Sequence, residues 1–224
     1  MSLTEETKNL LYKYFDVAVN LYGAIQLYKL LEIYNKQNEP ITKEQFVEFV
    51  DNINFENKFY DIIGASDIYD DVDEEVQTIN KDLVAEYLYT VDIDDYITFK
   101  INQPPCDYYI PKKEQFLKYA DENYFEKTLE FISLRAFLRN LGSLSKERAD
   151  EIAEEIQLMT RMGIDVDVDD VDFLLSETQN MGVNIDDENI YTKLLELCKD
   201  LEFSTRKNIY RGHTHFEVFS MPRH

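Results

Sequence analysis

Apolar residues recur at helical spacing from the beginning of the chain. The first such set is Leu10, Leu11, Tyr14, Phe15, Ala18, Leu21 and Tyr22. This spacing predicts an amphipathic helix, with Thr4 as its N-cap and with Glu5 and Glu6 complementing the helix dipole. A short extended segment, Gly23-Ala24-Ile25, interrupts the pattern, and a second short helix is predicted between residues 27 and 35.

A capping box marks the start of the third predicted helix. Thr42-Lys43-Glu44-Gln45 precedes an apolar stripe made of Phe46, Phe49, Val50 and Ile53. Residues 59–63 and 67–69, joined by a turn at 64–66, then predict a β-hairpin. Three helices followed by a hairpin, with an extended segment between the first two helices, is the element order of a winged-helix module. We therefore predict a winged-helix-like module at residues 1–76, with the third helix as its recognition helix.

The rest of the chain, residues 77–224, is predicted to be a helical domain of short antiparallel helices. A short helix is indicated by Leu83, Val84, Tyr87 and Leu88. Pro111 suits the first position of the next helix, and Gly142 suits the end of a helix that begins near Phe125. Ser145 is predicted to cap a helix that runs through Met159. The predicted fold class is mainly α with a small β-hairpin.

A weak internal repeat follows. Met162-Gly163-Ile164 and Met181-Gly182-Val183 each end an apolar stretch ahead of acidic or amide residues. We interpret each glycine as a helix exit with positive φ. Two copies indicate stacked short helices and do not establish a solenoid, because a solenoid needs at least three repeats.

Composition limits the class of protein. The chain has 224 residues, 44% of them hydrophobic and 13% aromatic, which favours one large or two small ordered domains over a disordered chain. The acidic N-terminus lacks the basic region of a signal peptide, and no apolar run reaches the ~18 residues of a membrane span. We expect a soluble cytoplasmic protein. Cys106 and Cys198 match neither a disulfide framework nor a metal-binding spacing.

The formal net charge is −22 and is concentrated in two windows. Residues 61–95 have a net charge of −11, and residues 165–188 have a net charge of −9. Because nucleic-acid affinity comes mainly from clustered Lys and Arg, such surfaces disfavour DNA and RNA. The predicted recognition helix is acidic as well, since Lys43 is accompanied by Glu44, Glu48 and Asp51.

The alternating acidic run from Asp165 to Asp172 suggests a calcium loop, which its spacing contradicts. An EF-hand loop that began at Asp165 would need Gly at its sixth position and Glu at its twelfth, where the chain has Asp170 and Ser176. We interpret the run as a solvated acidic N-cap of a helix.

Zinc and enzyme chemistry are also disfavoured. Zinc would require His213, His215, His224 and Cys198 to converge, and nothing in their spacing indicates that they do. Gly-rich phosphate loops and a nucleophile motif are absent from the sequence. We therefore predict no catalytic residues, no metal and no cofactor.

The closing stretch STRKNIYRGHTHFE, residues 204–217, is basic within an acidic chain. The last long helix is predicted from about Asp187 to Tyr210 with Gly212 as its terminator, so that the basic residues lie on its final turns and Glu202 pairs with Arg206. That interpretation leaves His213-Thr214 unexplained. The alternative is a binding patch that clamps a carboxylate or phosphate of a partner. Its residues would be Arg206, Arg211, His213 and Thr214.

The closing stretch also resembles a known family. Thr205-Arg206, Arg211-Gly212-His213-Thr214 and Glu217 are similar to the segment N-T-R-x-W-x-N-[KR]-G-H-T-P-N-E of bacterial proteins with a C-terminal SEC-C motif. Residues 21–25, 30–35 and 108–111 resemble the N-terminal region of the same proteins. The Cys-rich zinc-binding SEC-C motif itself is missing, so the resemblance implies an accessory helical domain and no zinc.

These observations together favour a protein-interaction or adaptor module without catalytic activity. Its two acidic windows would select a basic protein partner. The alternative is a nucleic-acid-associated regulator that uses the winged helix or the basic C-terminal face.

Overall fold

The structure, a computed structural model, describes residues 2–68, 77–141, 144–163 and 188–220. The chain divides into two compact units, residues 1–124 and 125–224. It is mainly helical with one small antiparallel sheet, as the sequence predicts. The predicted acidic N-cap at 165–172, the second repeat at 181–183 and the helix end at Gly142 lie outside the described residues.

The first unit combines helices with a three-stranded sheet. Its elements are α1 (Glu5–Tyr22), β1 (Ala24–Gln26), α2 (Leu27–Gln37), α3 (Lys43–Asp51), β2 (Tyr60–Ile63), β3 (Asp82–Ala85), α4 (Ile93–Asn102) and α5 (Lys113–Phe116). The strand order is β1-β3-β2, and β3 pairs antiparallel with both neighbours. Short 3₁₀ turns at 65–67, 78–80, 86–88 and 117–120 connect these elements.

The second unit is a group of helices. The described elements are α6 (Leu129–Asn140), α7 (Lys146–Met162), α8 (Glu188–Ser204) and α9 (His215–Ser220). Helices α6, α7 and α8 share an apolar core. Its buried residues are Phe131, Leu134, Leu138, Ala149, Ile152, Ala153, Ile156, Leu194, Leu197, Cys198 and Leu201.

The predicted helix starts are confirmed where a side chain caps the helix. The Thr4 hydroxyl accepts a hydrogen bond from the Thr7 N–H, and the Ser145 hydroxyl accepts one from the Arg148 N–H. The capping box of α3 is complete, because the Thr42 hydroxyl accepts from the Gln45 N–H while the Gln45 side chain accepts from the Thr42 N–H. These contacts are local, which is why the sequence reveals them.

Two predictions for the region after β2 are wrong. These are the second strand of the hairpin and the short helix that follows it. Residues 65–67 form a 3₁₀ turn, and β2 pairs instead with β3 at residues 82–85. The sequence predicted a helix there because Leu83 and Val84 are both apolar. Both are buried, since β3 is the middle strand and is covered on both faces. Periodicity alone does not separate such a strand from a buried helix segment.

Other local differences are small. Helix α5 begins at Lys113 with Lys112 at the N-cap, so Pro111 lies just before the helix. Gly163 follows α7 with φ −52°, so this exit does not use the positive φ that the repeat suggested.

The unit boundary lies at residue 124, whereas the sequence placed a boundary at residue 76. The segment that precedes it packs on α1. The Tyr22 hydroxyl donates to the Tyr109 carbonyl at 2.7 Å, and the Asn20 side chain donates to the Tyr119 carbonyl at 2.9 Å. These contacts span 87 and 99 residues of sequence, which makes them inaccessible to local pattern analysis.

A buried carboxylate connects β3 to α4. Asp82, only 6% exposed, accepts hydrogen bonds from the Tyr96 hydroxyl and from the Lys100 ammonium. Burial and, after it, the Asp82 charge raise the pKa of the Tyr96 phenol far above its usual value, so the phenol remains a proton donor. A buried charge is stable only when it is paired and hydrogen-bonded in this way.

We expect Asp82→Ala to lower the free energy of unfolding by about 2–3 kcal/mol, because it leaves the buried Tyr96 hydroxyl without its acceptor. Tyr96→Phe should cost only about 1 kcal/mol, since Lys100 still pairs with Asp82. Urea denaturation of both variants measures the difference. Equal losses would contradict this role for Asp82.

Candidate functional site

The closing segment is a compact loop and not the end of a long helix. Helix α8 ends at Ser204, and residues 205–214 lead to the separate helix α9. The Thr205 hydroxyl donates to the Leu201 carbonyl at 2.7 Å, a local bond that competes with helix continuation. Arg211 and Gly212 then take φ values of 53° and 80°, in the left-handed region. The predicted helix to Tyr210 is therefore wrong, and so is the placement of its basic residues on final helical turns.

Backbone hydrogen bonds close this loop on itself. Arg206 and Thr214 form an antiparallel bridge. The Lys207 N–H donates to the His213 carbonyl and the Gly212 N–H to the Lys207 carbonyl, both at 3.0 Å. The left-handed residues at 211–212 allow the chain to reverse within so few residues.

The loop also donates a backbone hydrogen bond to the C-terminal end of α7. The Asn208 N–H donates to the Arg161 carbonyl at 3.0 Å, which provides a partner for one of the last carbonyls of that helix. The loop is therefore part of the packed unit.

Arg206 connects three parts of the second unit. Its Nε donates to Glu126 Oε2 at 3.0 Å, and its Nη1 donates to Glu217 Oε2 at 2.8 Å and to the Gly212 carbonyl at 3.2 Å. The Arg206 side chain is 14% exposed. Its guanidinium thus serves internal carboxylates, and the predicted pair between Arg206 and Glu202 is wrong.

Thr214 is the N-cap of α9. Its hydroxyl accepts from the Glu217 N–H at 3.2 Å, and Glu217 Oε2 accepts from the Thr214 N–H at 3.0 Å. Thr214-His215-Phe216-Glu217 is therefore a capping box, a local signal for a helix start that the sequence itself contains. It gives His213-Thr214 a structural reason.

Lys207 and Glu202 form a buried ion pair. The Lys207 side chain is fully buried, its ammonium donates to Glu202 Oε1 at 2.8 Å, and it lies 5.4 Å from the centre of the Tyr210 ring. The basic residue that the sequence placed on a helix surface thus neutralises an acid in the interior.

The four residues of the predicted binding patch lie in or next to this one loop. His213 Nδ1 is 3.3 Å from Glu217 Oε2, and Arg211 occupies the turn. Arg206 and Thr214 use the polar groups described above for internal contacts. A binding role for the patch remains a prediction.

Of the four residues that a zinc site would have required, Cys198, His213 and His215 lie in the described part of the chain. Cys198 lies in the α6–α8 core, where burial raises its pKa to about 12 and keeps the thiol protonated. His215 packs against Phe203 and Phe219 at ring distances of 4.7 and 4.2 Å. Burial and the charge of Lys207 lower its pKa. Among the described residues, no group of three or more His, Cys, Asp or Glu side chains is placed to hold a metal.

A groove lies along the outer face of α3. Its volume is about 560 Å³, within the range of binding clefts. The lining residues are Lys43, Glu44, Val47, Glu48, Asp51, Asn52, Gln77, Thr78 and Ile79. The Thr78 hydroxyl donates to Asp51 Oδ1 at 2.8 Å and thereby attaches the 77–80 turn to the helix. The sequence showed the acidic helix face, but the second wall of the groove comes from a turn that folds back onto it.

No protein-family model, no curated protein and no solved structure matches this chain. Across the described ranges 2–68, 77–141, 144–163 and 188–220, no helix has both the length and the apolarity that crossing a bilayer requires.

We expect Glu217→Gln to lower stability in a pH-dependent way. Burial alone would raise the pKa of Glu217, but hydrogen bonds from Thr214 and Arg206 lower it below its usual value of 4.5. A depressed carboxyl pKa stabilises the fold above the unfolded value and loses this effect as pH falls through the folded value. The difference from wild type should be about 1 kcal/mol at pH 7, because water screens a side chain that is 36% exposed.

Urea titrations from pH 7 to pH 2.5 measure this difference. It should begin to shrink below about pH 4.5 and approach zero in acid. A difference independent of pH would contradict the role of the carboxylate charge.

Lys207→Met should cost about 3–5 kcal/mol, because it leaves the Glu202 carboxylate buried without its cation. The double variant Lys207→Met/Glu202→Met should be more stable than the sum of the two single losses predicts. A double-mutant cycle by chemical denaturation gives this coupling. Additive losses would show that the two side chains do not depend on each other.

Proposed function

We propose that this protein is a protein-interaction module without catalytic activity, and that its first unit binds a basic segment of a protein partner in the α3 groove. The observation that carries the proposal is the groove itself, in which Val47 lies among carboxylates on the outer face of α3. The inner face of α3 is used for packing, since Phe46, Phe49 and Val50 are buried.

The topology supports a winged-helix-like module. Elements α1 to β3 follow the order α-β-α-α-β-β, and β3 lies between β1 and β2 in an antiparallel sheet. In such a module α3 is the recognition helix, the element that meets the ligand. The groove lies on that helix.

The charge of the groove favours a cationic partner. Glu44, Glu48 and Asp51 line it beside Lys43. Hydrogen bonds with its own backbone N–H and the Thr42 hydroxyl lower the pKa of Glu44, so it remains ionised at neutral pH. Part of the groove, residues 77–79, also belongs to the sequence window with a net charge of −11. Complementary charge accelerates association and excludes partners of like charge.

Val47, which is half-buried, supplies the accessible apolar side chain of the groove, and Ile79 lies beneath it with only 4% exposure. A partner segment with Lys or Arg beside a Leu, Ile or Phe would satisfy both features. The apolar side chain would supply most of the affinity, because exposed ion pairs contribute little individually.

The alternative of a nucleic-acid-associated regulator would use the same recognition helix. Phosphates would meet Glu44, Glu48 and Asp51 there, which is unfavourable. The four-residue patch on the closing loop would need Arg206 to leave Glu126 and Glu217 before it could clamp an anion. The resemblance to SEC-C-associated proteins is compatible with an accessory role for this loop.

We expect Glu44→Lys/Glu48→Lys to weaken binding of the partner by about tenfold or more, because two attractive contacts become repulsive. The matched control is Glu39→Lys/Glu114→Lys, which makes the same charge change at exposed positions outside the groove. The measurement is an affinity pull-down from source-cell extract, followed by titration of the captured protein. A third variant, Arg206→Ala/Arg211→Ala/His213→Ala, tests the closing loop in parallel.

The proposal requires a protein partner that the groove variant loses and the control variant retains. Equal loss in both would indicate only a general charge effect and would contradict it. Loss in the loop variant alone would move the site to residues 206–214. Recovery of nucleic acid, with an affinity that falls steeply as salt rises, would favour the regulator instead.

A further inference from the structure

Lys58 lies among groups that recognise ammonium ions. It belongs to the segment between α3 and β2, and its Nζ is 3.2 Å from Asp16 Oδ1. The same Nζ lies 5.1 Å from the centre of the Tyr12 ring and 5.6 Å from the centre of the Tyr60 ring. Two aromatic rings and a carboxylate around one cation are the components of an aromatic cage.

The Asp16 carboxylate needs a cation at this position. Burial raises the pKa of Asp16 above its usual value, although the Lys58 charge and hydrogen bond oppose the increase. Without Lys58 the Asp16 carboxylate would still be partly desolvated, but it would lack the cation that stabilises its charge.

The Tyr60 hydroxyl is a buried polar group of the cage. Its side chain is only 3% exposed, and within the described ranges its hydroxyl has no hydrogen-bond partner. Burial raises the pKa of this phenol, and the nearby Asp16 and Tyr12 add to the increase. A buried polar atom without a partner calls for an explanation, and the Lys58 ammonium, which lies 5.6 Å from the centre of the ring, does not pair with it.

The ion pair within the cage is partly exposed to solvent, and its lysine is carried by a short backbone turn. The side chains of Lys58 and Asp16 are 25% and 30% exposed. Lys58 follows Asn57, whose φ is 59°, and its N–H donates to the Phe55 carbonyl at 3.0 Å. The cation is therefore carried by a turn, while Tyr12 and Asp16 lie on α1 and Tyr60 on β2.

We propose that Tyr12, Asp16 and Tyr60 form a binding site for an alkylammonium group that Lys58 occupies from within the chain. The external ligand is a lysine side chain of a protein partner, which competes with Lys58 for the cage. The site does not depend on the α3 groove, and its test uses different residues.

Chemical rescue tests this site. Lys58→Ala keeps both rings and the carboxylate and removes the internal cation. We expect n-butylammonium chloride, which has the shape of a lysine side chain, to raise the Tm of this variant above its value in sodium chloride of equal concentration. NMR titration of the tyrosine ring signals should give saturable binding at least about tenfold tighter than to wild type, where Lys58 competes.

The matched control is Lys29→Ala. Lys29 pairs with Glu32 at 2.9 Å and lies over a single ring, Tyr28, at 5.8 Å. It therefore has an ion pair and one aromatic contact but no cage. Butylammonium should not stabilise this variant more than sodium does. Tetramethylammonium as a second probe distinguishes a methylated lysine from an unmodified one.

The cage would be established if butylammonium raised the Tm of Lys58→Ala but not that of Lys58→Ala/Tyr12→Leu. The proposal would be overturned if butylammonium and sodium had the same effect on the Tm of Lys58→Ala. It would also be overturned if butylammonium bound Lys58→Ala and wild type with equal affinity. Because the readout is the gain in Tm on adding the ligand, the test remains valid if Lys58→Ala is less stable than wild type.

Discussion

Strand β3 is the element on which the first unit depends. It forms backbone hydrogen bonds to β1 on one side and to β2 on the other, and it contains the buried Asp82. All four residues of this strand are buried, and the Asp82 carboxylate finds its hydrogen-bond donors on α4. The two surfaces proposed for binding both include residues of elements next to this strand. The 3₁₀ turn just before it forms one wall of the α3 groove, and its neighbour β2 supplies Tyr60 to the cage.

The closing loop illustrates how an acidic chain uses its few cations. The basic character of residues 204–217 suggested an external anion, but Arg206 pairs with Glu126 and Glu217, and Lys207 pairs with Glu202. Removing Lys207 would leave the Glu202 carboxylate, whose side chain is 8% exposed, in a poorly solvated position, where an unpaired charge is costly. Internal neutralisation is therefore the first role of this basic segment.

The two proposed sites share one electrostatic property. With a net charge of −22, the protein attracts cations, and both the groove and the cage present carboxylates next to apolar or aromatic surface. In the function proposed above, apolar contact would supply affinity, while the surrounding charge would select lysine- or arginine-containing partners over phosphates. Both proposed sites lie on the first unit, and both are argued from the same combination of carboxylate and apolar or aromatic side chains.

The sequence by itself determined the helices with local caps, the mainly α fold and the acidic face of α3. Contacts between Thr42 and Gln45 or between Ser145 and Arg148 join residues three apart, so their pattern is visible in the chain. The tertiary structure alone decided that residues 82–85 form the middle strand, that the first unit extends to Tyr124, and that Arg206 turns inward. These outcomes depend on partners tens of residues away in the sequence. The energy of such a contact depends on both residues that form it, so neither residue reveals it alone. A buried strand and a buried helix segment look alike in sequence, and a basic residue does not reveal which carboxylate it will meet.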